Sequence, residues 1–235
     1  NQMYARRLEH WCVWSGVAAI TCFTFGFIFA GFIPPPSPSR SVEEVVAYYQ
    51  QHATGIRVGM VLMMISGMFV PPLVAIISTQ MRRIPGAHPL LVYAQLSAGT
   101  LGSVFFITGA LVFVVAAFRP DRPADITYML NDFAWIVTVL PWSPAFIQNV
   151  IIGVAILSDK QAQPVFPRWL AYFNFWVAIG FIPGGLLAFF KVGPFAWNGA
   201  FVFWLAGSVF ILWFAVMTVM LLRAIRQQET ETTAR

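Results

Sequence analysis

The sequence has little charge and few of the residues on which enzymes and metal sites depend. Only 10% of its 235 residues are charged, against about 25% in an average soluble domain. It contains two cysteines and three histidines, and none of them stands at a metal-ligand spacing. With 59% hydrophobic residues, a soluble fold is excluded, and no metal site is predicted.

Long apolar stretches, separated by short polar segments, fill most of the chain. Each exceeds the roughly 20 residues that a helix needs to cross the hydrocarbon core of a bilayer. The predicted spans are residues 11–33, 58–79, 90–118, 132–157, 170–190 and 195–222. The sequence therefore predicts an all-α integral membrane protein in which residues 1–235 form a single membrane domain, a six-transmembrane-helix bundle. The first span is longer than the apolar core of a signal peptide, so we expect it to be retained.

The distribution of basic residues predicts the orientation of the bundle. Six crossings bring both termini to one side, and that side carries nine of the 14 Lys and Arg residues. Because such residues collect on the cytoplasmic side, both termini are predicted to be cytoplasmic, in a bacterial-type inner membrane. The same rule explains the net charge of +5, so no nucleic-acid partner is expected.

A short external amphipathic helix is predicted at about residues 41–52. Ser41 and Glu44 form an S-x-x-E capping box, and the preceding PPPSPSR segment, residues 34–40, cannot be helical. Apolar residues then follow at helical spacing, namely Val42, Val45, Val46 and Tyr49. This helix is expected to lie on the membrane surface or to cap the bundle.

Prolines are predicted to break spans two, four and five. Proline lacks a backbone N–H, and in lipid each freed backbone group needs another partner. Each break must therefore be packed by neighbouring helices or line a cavity. The prolines concerned are Pro71 and Pro72 in the second span, Pro141 and Pro144 in the fourth, and Pro183 in the fifth.

Polar and aromatic residues near these breaks are the candidates for contact with a ligand. They are Trp142, Ser143, Gln148, Asn149, Asn174 and Trp176. The amide side chains can form a polar patch in an apolar pocket. They are equally suited to donate to the backbone carbonyls that the prolines leave without a partner, or to form hydrogen bonds between helices. Aromatic residues at 173–181 and 201–204 can wall a pocket for a flat or isoprenoid ligand, or can simply pack.

Arg57 and Asp132 open the second and fourth spans at the predicted outer boundary. Ionisable groups at that depth usually pair or line a water-filled vestibule. The possible vestibule ion pair, Arg57 with Asp132, is the functional interpretation. The alternative is that the two side chains reach the headgroups separately.

The favoured hypothesis is a non-enzymatic membrane protein. It would be a subunit of a membrane complex or a homo-oligomer, a binder of a lipophilic ligand such as a lipid, quinone or pigment, or both. No catalytic residue and no cofactor is predicted. One alternative is a small-solute transporter or channel with its site at broken helices two, four and five. A second is a membrane-embedded enzyme that acts on a lipid-like substrate through Asp132 or Glu44. One or two carboxylates are fewer groups than a catalytic site normally contains.

Overall fold

The computed structural model describes residues 2–233, and every regular element in that range is a helix. Over that range the chain contains no strand. The α-helices are α1 Gln2–Phe29, α2 Val42–Met81, α3 Pro89–Phe118, α4 Ala124–Val139, α5 Ser143–Leu157, α6 Arg168–Phe181 and α7 Ala206–Thr233. A 3₁₀ helix, Ile182–Ala188, follows α6, and a π-helix, Ala200–Leu205, precedes α7.

Within the described part of the chain, six helical units are long and apolar enough to cross a membrane. Helices α1, α2 and α3 are the first three units. The fourth combines α4 and α5, the fifth combines α6 with the 3₁₀ helix, and the sixth combines the π-helix with α7. The predicted all-α bundle with six candidate spans is confirmed, and the third predicted span agrees with α3 to within one residue.

The segment at 41–52 is helical but does not form a separate short helix. The predicted capping box is present: Glu44 N–H donates to Ser41 Oγ, and Ser41 N–H donates to the Glu44 carboxylate. The helix then continues unbroken to Met81. Its buried face extends through Tyr49, Ala53 and Ile56 at helical spacing, and no proline interrupts it before residue 71.

The predicted break in the second span is wrong, because α2 is continuous through Pro71 and Pro72. Prolines are tolerated in membrane helices where neighbouring helices pack around the freed backbone groups. Here Val70, Leu73 and Val74 are buried on both sides of the pair. Gly67, four residues before Pro71, packs closely on Ile107 of α3.

Helices α1 and α2 cross in close backbone contact. A β-carbon on Gly59 would lie 2.2 Å from the carbonyl oxygen of Gly26 and 2.8 Å from the amide nitrogen of Ala30. One on Gly55 would lie 2.6 Å from the carbonyl oxygen of Phe29. Gly26 and Ala30, two small residues four positions apart on α1, thus meet Gly55 and Gly59, a G-x-x-x-G pair on α2.

The two ends of the bundle are held by different contacts. At the end that carries the last turns of α7, Arg83 donates to the Ala224 carbonyl and forms an ion pair with Glu231 at 3.0 Å. At the opposite end Trp197 Nε1 donates to the carbonyl of Pro36. Trp197 also stacks on the buried Trp135, 5.9 Å between ring centroids. The antiparallel crossing of α1 and α2 puts the start of α1 at the same end as the last turns of α7.

Candidate functional site

Three interruptions of regular α-helix meet inside the bundle. The first is residues 140–142, between α4 and α5; the others are the 3₁₀ helix and the π-helix. The side chain of Trp142 lies against Gly184 and Gly185, where an added β-carbon would come within 3.3 Å and 2.6 Å of its atoms. The 3₁₀ helix in turn packs on the π-helix. The predicted breaks in spans four and five therefore face each other.

Local sequence explains each interruption. Pro141 and Pro144 supply no backbone N–H, so the α-helical hydrogen-bond ladder cannot run through them. Instead Trp142 N–H bonds to the Leu140 carbonyl at 2.7 Å. Pro183 is the second residue of the 3₁₀ helix, in its first turn. At the π-helix, the Gly199 carbonyl accepts from both Phe203 and Trp204, which widens the first turn.

The interruptions border a cavity of about 340 Å³. All seven α-helices, the α4–α5 break, the 3₁₀ helix and the π-helix contribute to its walls, which are almost entirely apolar. Among the described residues, none of those lining it carries a charge. Its size is at the lower end of the 300–1,000 Å³ that is typical of small-molecule sites. The cavity is thus the size of a ligand site and has the low polarity of the surrounding bilayer.

Two amide side chains at this wall have polar atoms without a partner. Gln148 is 8% exposed and Asn149 is 2% exposed. Within the described chain, Gln148 Nε2 and Asn149 Oδ1 form no hydrogen bond. Asn149 Nδ2 donates to the Ala145 carbonyl at 2.8 Å. Gly99 of α3 makes room for Gln148, because a β-carbon there would lie 2.6 Å from Nε2.

The structure brings together three of the six predicted ligand-contact residues. Trp142, Gln148 and Asn149 line the cavity. Asn174 lies outside the lining and is fully buried: it donates to the Leu170 carbonyl and accepts from Trp213 Nε1 at 3.0 Å. Its amide therefore bonds between helices. The other two, Ser143 and Trp176, are exposed and also outside the lining.

The aromatic wall differs in part from the one predicted. Of the predicted ranges, Phe181, Phe203 and Trp204 line the cavity. The first half of the chain contributes residues that sequence reasoning missed, including Phe23, Phe27, Gly102 and Phe106. Only the helix packing brings these residues to the breaks. The available signal was the pair of small residues, Gly99 and Gly102, in the middle of α3.

Comparisons with known proteins do not extend this description. No protein-family model, curated protein or solved structure matches the chain. A functional conclusion therefore depends on the cavity and its amides.

The structure does not pair Arg57 with Asp132, whose ion pair was a possibility raised by the sequence. Arg57 donates to the Ala53 carbonyl and to Thr54 Oγ1, both on its own helix. Asp132 accepts from the neighbouring Asn131 side chain and lies within electrostatic range of Lys191. Within residues 2–233, the ion pair found is Arg83 with Glu231. Partners on its own helix satisfy Arg57. A vestibule at this boundary stays a prediction.

Proposed function

We propose that the protein is a non-enzymatic membrane protein that binds a lipophilic molecule in the cavity at the three helix interruptions. The observation that carries the proposal is the pair of unpartnered amides, Gln148 and Asn149, at the wall of an apolar cavity. A lipid, a quinone or a pigment has the apolar body that such a cavity accepts. The amides would fix the position of its polar group.

The energetic cost of leaving the two amide atoms without hydrogen bonds supports the proposal that the cavity is occupied. A buried polar atom left without a hydrogen bond costs about 1–3 kcal/mol, and lipid offers no water to relieve it. Both atoms are buried, but their residues line the cavity, so a small movement of the wall would let a bound molecule supply the missing hydrogen bonds. Within the described chain no protein group offsets this cost, since neither atom has a hydrogen-bond partner.

The space between α3 and α7 is a route into the cavity from the bilayer. Gly102 on α3 and Gly207 on α7 both line the cavity, and a β-carbon on either would meet no atom within 4 Å. A hydrophobic molecule can enter sideways between such helices without crossing water. The tail of a long ligand can then stay in the lipid.

Filling the cavity from Gly102 tests the proposal. We expect Gly102→Leu to fold normally, because its side chain enters open space. Binding should weaken at least tenfold, which is about 1.4 kcal/mol. The measurement is native mass spectrometry of the protein purified from its own membranes, with the retained small molecules identified. The matched control is Thr100→Leu, which adds the same side chain at an exposed position outside the lining. Equal retention of lipophilic molecules by both variants would contradict the proposal.

The orientation in the membrane is part of the proposal. The excess of Lys and Arg at the end that carries the last turns of α7 supports a cytoplasmic location of that end, in a bacterial-type inner membrane. Residues 34–41 and 119–123, and with them the first turns of α2, would then face outward. We expect a cysteine at Ser39, in a background without Cys12 and Cys22, to react with an impermeant maleimide in intact cells. One at Gln161 should react only after lysis. The reverse pattern would overturn the orientation.

Transport is the second candidate function, favoured by the way the interruptions of spans four, five and six converge. Interrupted helices in transporters expose backbone groups to a substrate. Transport predicts that a cysteine at Asn149 is reached by a water-soluble maleimide, whereas a lipophilic site predicts labelling only by an apolar reagent. The partner chains and homo-oligomer predicted from the sequence stay predictions.

A further inference from the structure

We infer that the cavity takes a neutral amphiphile whose polar head is a hydroxyl group, the class of the long-chain and isoprenoid alcohols. This inference rests on the proposed function and narrows its ligand class. It follows from the hydrogen-bonding requirement of Asn149, the lack of charge at the wall, and the hydrogen bonds that other polar side chains there already make.

The orientation of the Asn149 amide determines what its free atom needs. Its partner at 2.8 Å is the carbonyl oxygen of Ala145, which can only accept, so the Asn149 atom facing it is the NH₂ group. The atom left unpartnered is therefore Oδ1, an acceptor. Only a hydrogen-bond donor satisfies it, and because Oδ1 is buried, a small movement of the wall must open it to a ligand. A quinone carbonyl, which can only accept, leaves it unpaired.

The neighbouring amide supplies the complementary half of the interaction. Gln148 Nε2 is a donor without a partner, and it lies just under the wall beside Gly99. The terminal torsion of glutamine is soft, so a small rotation presents this group to a ligand. A hydroxyl can accept from Gln148 and donate to Asn149 at the same time. The two residues are consecutive on α5, and both line the cavity.

Three other polar side chains at the wall already have hydrogen-bond partners, and the indoles of Trp142 and Trp204 lie at less buried parts of the lining. The hydroxyls of Thr24 and Thr138 donate to Ile20 and Ala134 of their own helices. The Trp213 indole donates to Asn174, and Ser208 lies at an exposed part of the lining. The amide pair is thus the buried polar end of the cavity.

The lack of charge excludes the commonest anionic lipids as occupants. Among the described lining residues there is no Lys, Arg or His to pair with a carboxylate or phosphate. An unpaired charge in an apolar site costs far more than a neutral polar group. Fatty acids and phospholipid headgroups should therefore bind poorly, whereas a neutral hydroxyl brings only the polarity that the two amides can match.

Three probes of equal chain length test the inference: tetradecanol, tetradecyl methyl ether and tetradecanoate. Binding of tritiated tetradecanol to the protein in nanodiscs is measured with empty nanodiscs subtracted, and the other two probes compete. We expect the ether, which cannot donate a hydrogen bond, and tetradecanoate each to bind at least tenfold more weakly than the alcohol. Asn149→Leu should remove the difference between alcohol and ether by weakening the alcohol alone.

The possible failures are distinguishable. Equal binding of alcohol and ether to the wild-type protein, with both lost in Gly102→Leu, overturns the hydroxyl inference and keeps the lipophilic site. Competition by tetradecanoate as strong as by the alcohol also overturns it. Binding that Gly102→Leu leaves unchanged overturns the proposed function itself. The comparison of probes on the wild-type protein needs no variant, so poor folding of Asn149→Leu does not remove the test.

Discussion

Gly59→Leu is expected to destabilise the bundle more than any other single substitution that we propose. Its β-carbon would lie 2.2 Å from the Gly26 carbonyl oxygen and 2.8 Å from the Ala30 amide nitrogen. Both are backbone atoms, so α1 and α2 must move apart and lose their packing along the crossing. Overpacking of a tight core typically costs 1–3 kcal/mol and occasionally more, and we expect about 3 kcal/mol here. Unfolding in mixed micelles of increasing SDS fraction measures it.

Gly102→Leu is the matched control for this prediction. It introduces the same side chain at a helix glycine whose β-carbon would meet no atom within 4 Å, so its unfolding curve should match that of the wild type. If the two variants unfold alike, the close crossing of α1 and α2 is not what holds these helices together.

Gly185→Leu is expected to impair both stability and ligand binding. A β-carbon at this position would lie 2.6 Å from Trp142 Nε1 and 3.3 Å from Cδ1 and Cε2 of the same ring. A bulky indole cannot yield as a flexible side chain would, so Trp142 must leave its place on the cavity wall. We expect at least a tenfold loss of tetradecanol binding, about 1.4 kcal/mol. The midpoint temperature of thermal unfolding should fall by several degrees, since each kcal/mol of lost stability lowers it by about 2–4 °C in a chain of this size.

The combination of effects distinguishes this variant from the other two. Gly102→Leu should lose binding and keep stability, whereas Gly59→Leu should mainly lose stability. A conservative control is Gly180→Ala on α6, whose β-carbon would lie 3.3 Å from a Val209 methyl group, a contact that a small shift relieves. Unchanged binding in Gly185→Leu would mean that the indole of Trp142 is not part of the site.

The elements best predicted from the sequence are those set by local chemistry. The apolar run at 90–118 contains no proline, so its helix ends where its composition changes. The capping box of Ser41 and Glu44 depends on neighbours three residues apart. The break at residues 140–142 follows from prolines that lack an N–H. In each case the deciding contacts lie within one or two turns.

What could not be predicted depends on packing between distant segments. Pro71 and Pro72 resemble the prolines of the fourth span in sequence, yet α2 stays helical because α3 and other neighbours enclose it. Gly55 and Gly59 form a G-x-x-x-G pair with the charged Arg57 between them, and only the crossing with α1 shows that the two glycines are packed. Asn174 and Asn149 are both asparagines in apolar spans. Only the position of Trp213 makes one of them a bridge between helices and leaves the other with a free oxygen.

A density map of the protein in discs cut directly from its native membrane tests the central claim most directly. We predict elongated non-protein density in the cavity, with its polar end within hydrogen-bond distance of Asn149 Oδ1 and Gln148 and its tail directed between α3 and α7. A map in which protein side chains fill the space beside Trp142, with both amides bonded to protein, would contradict it.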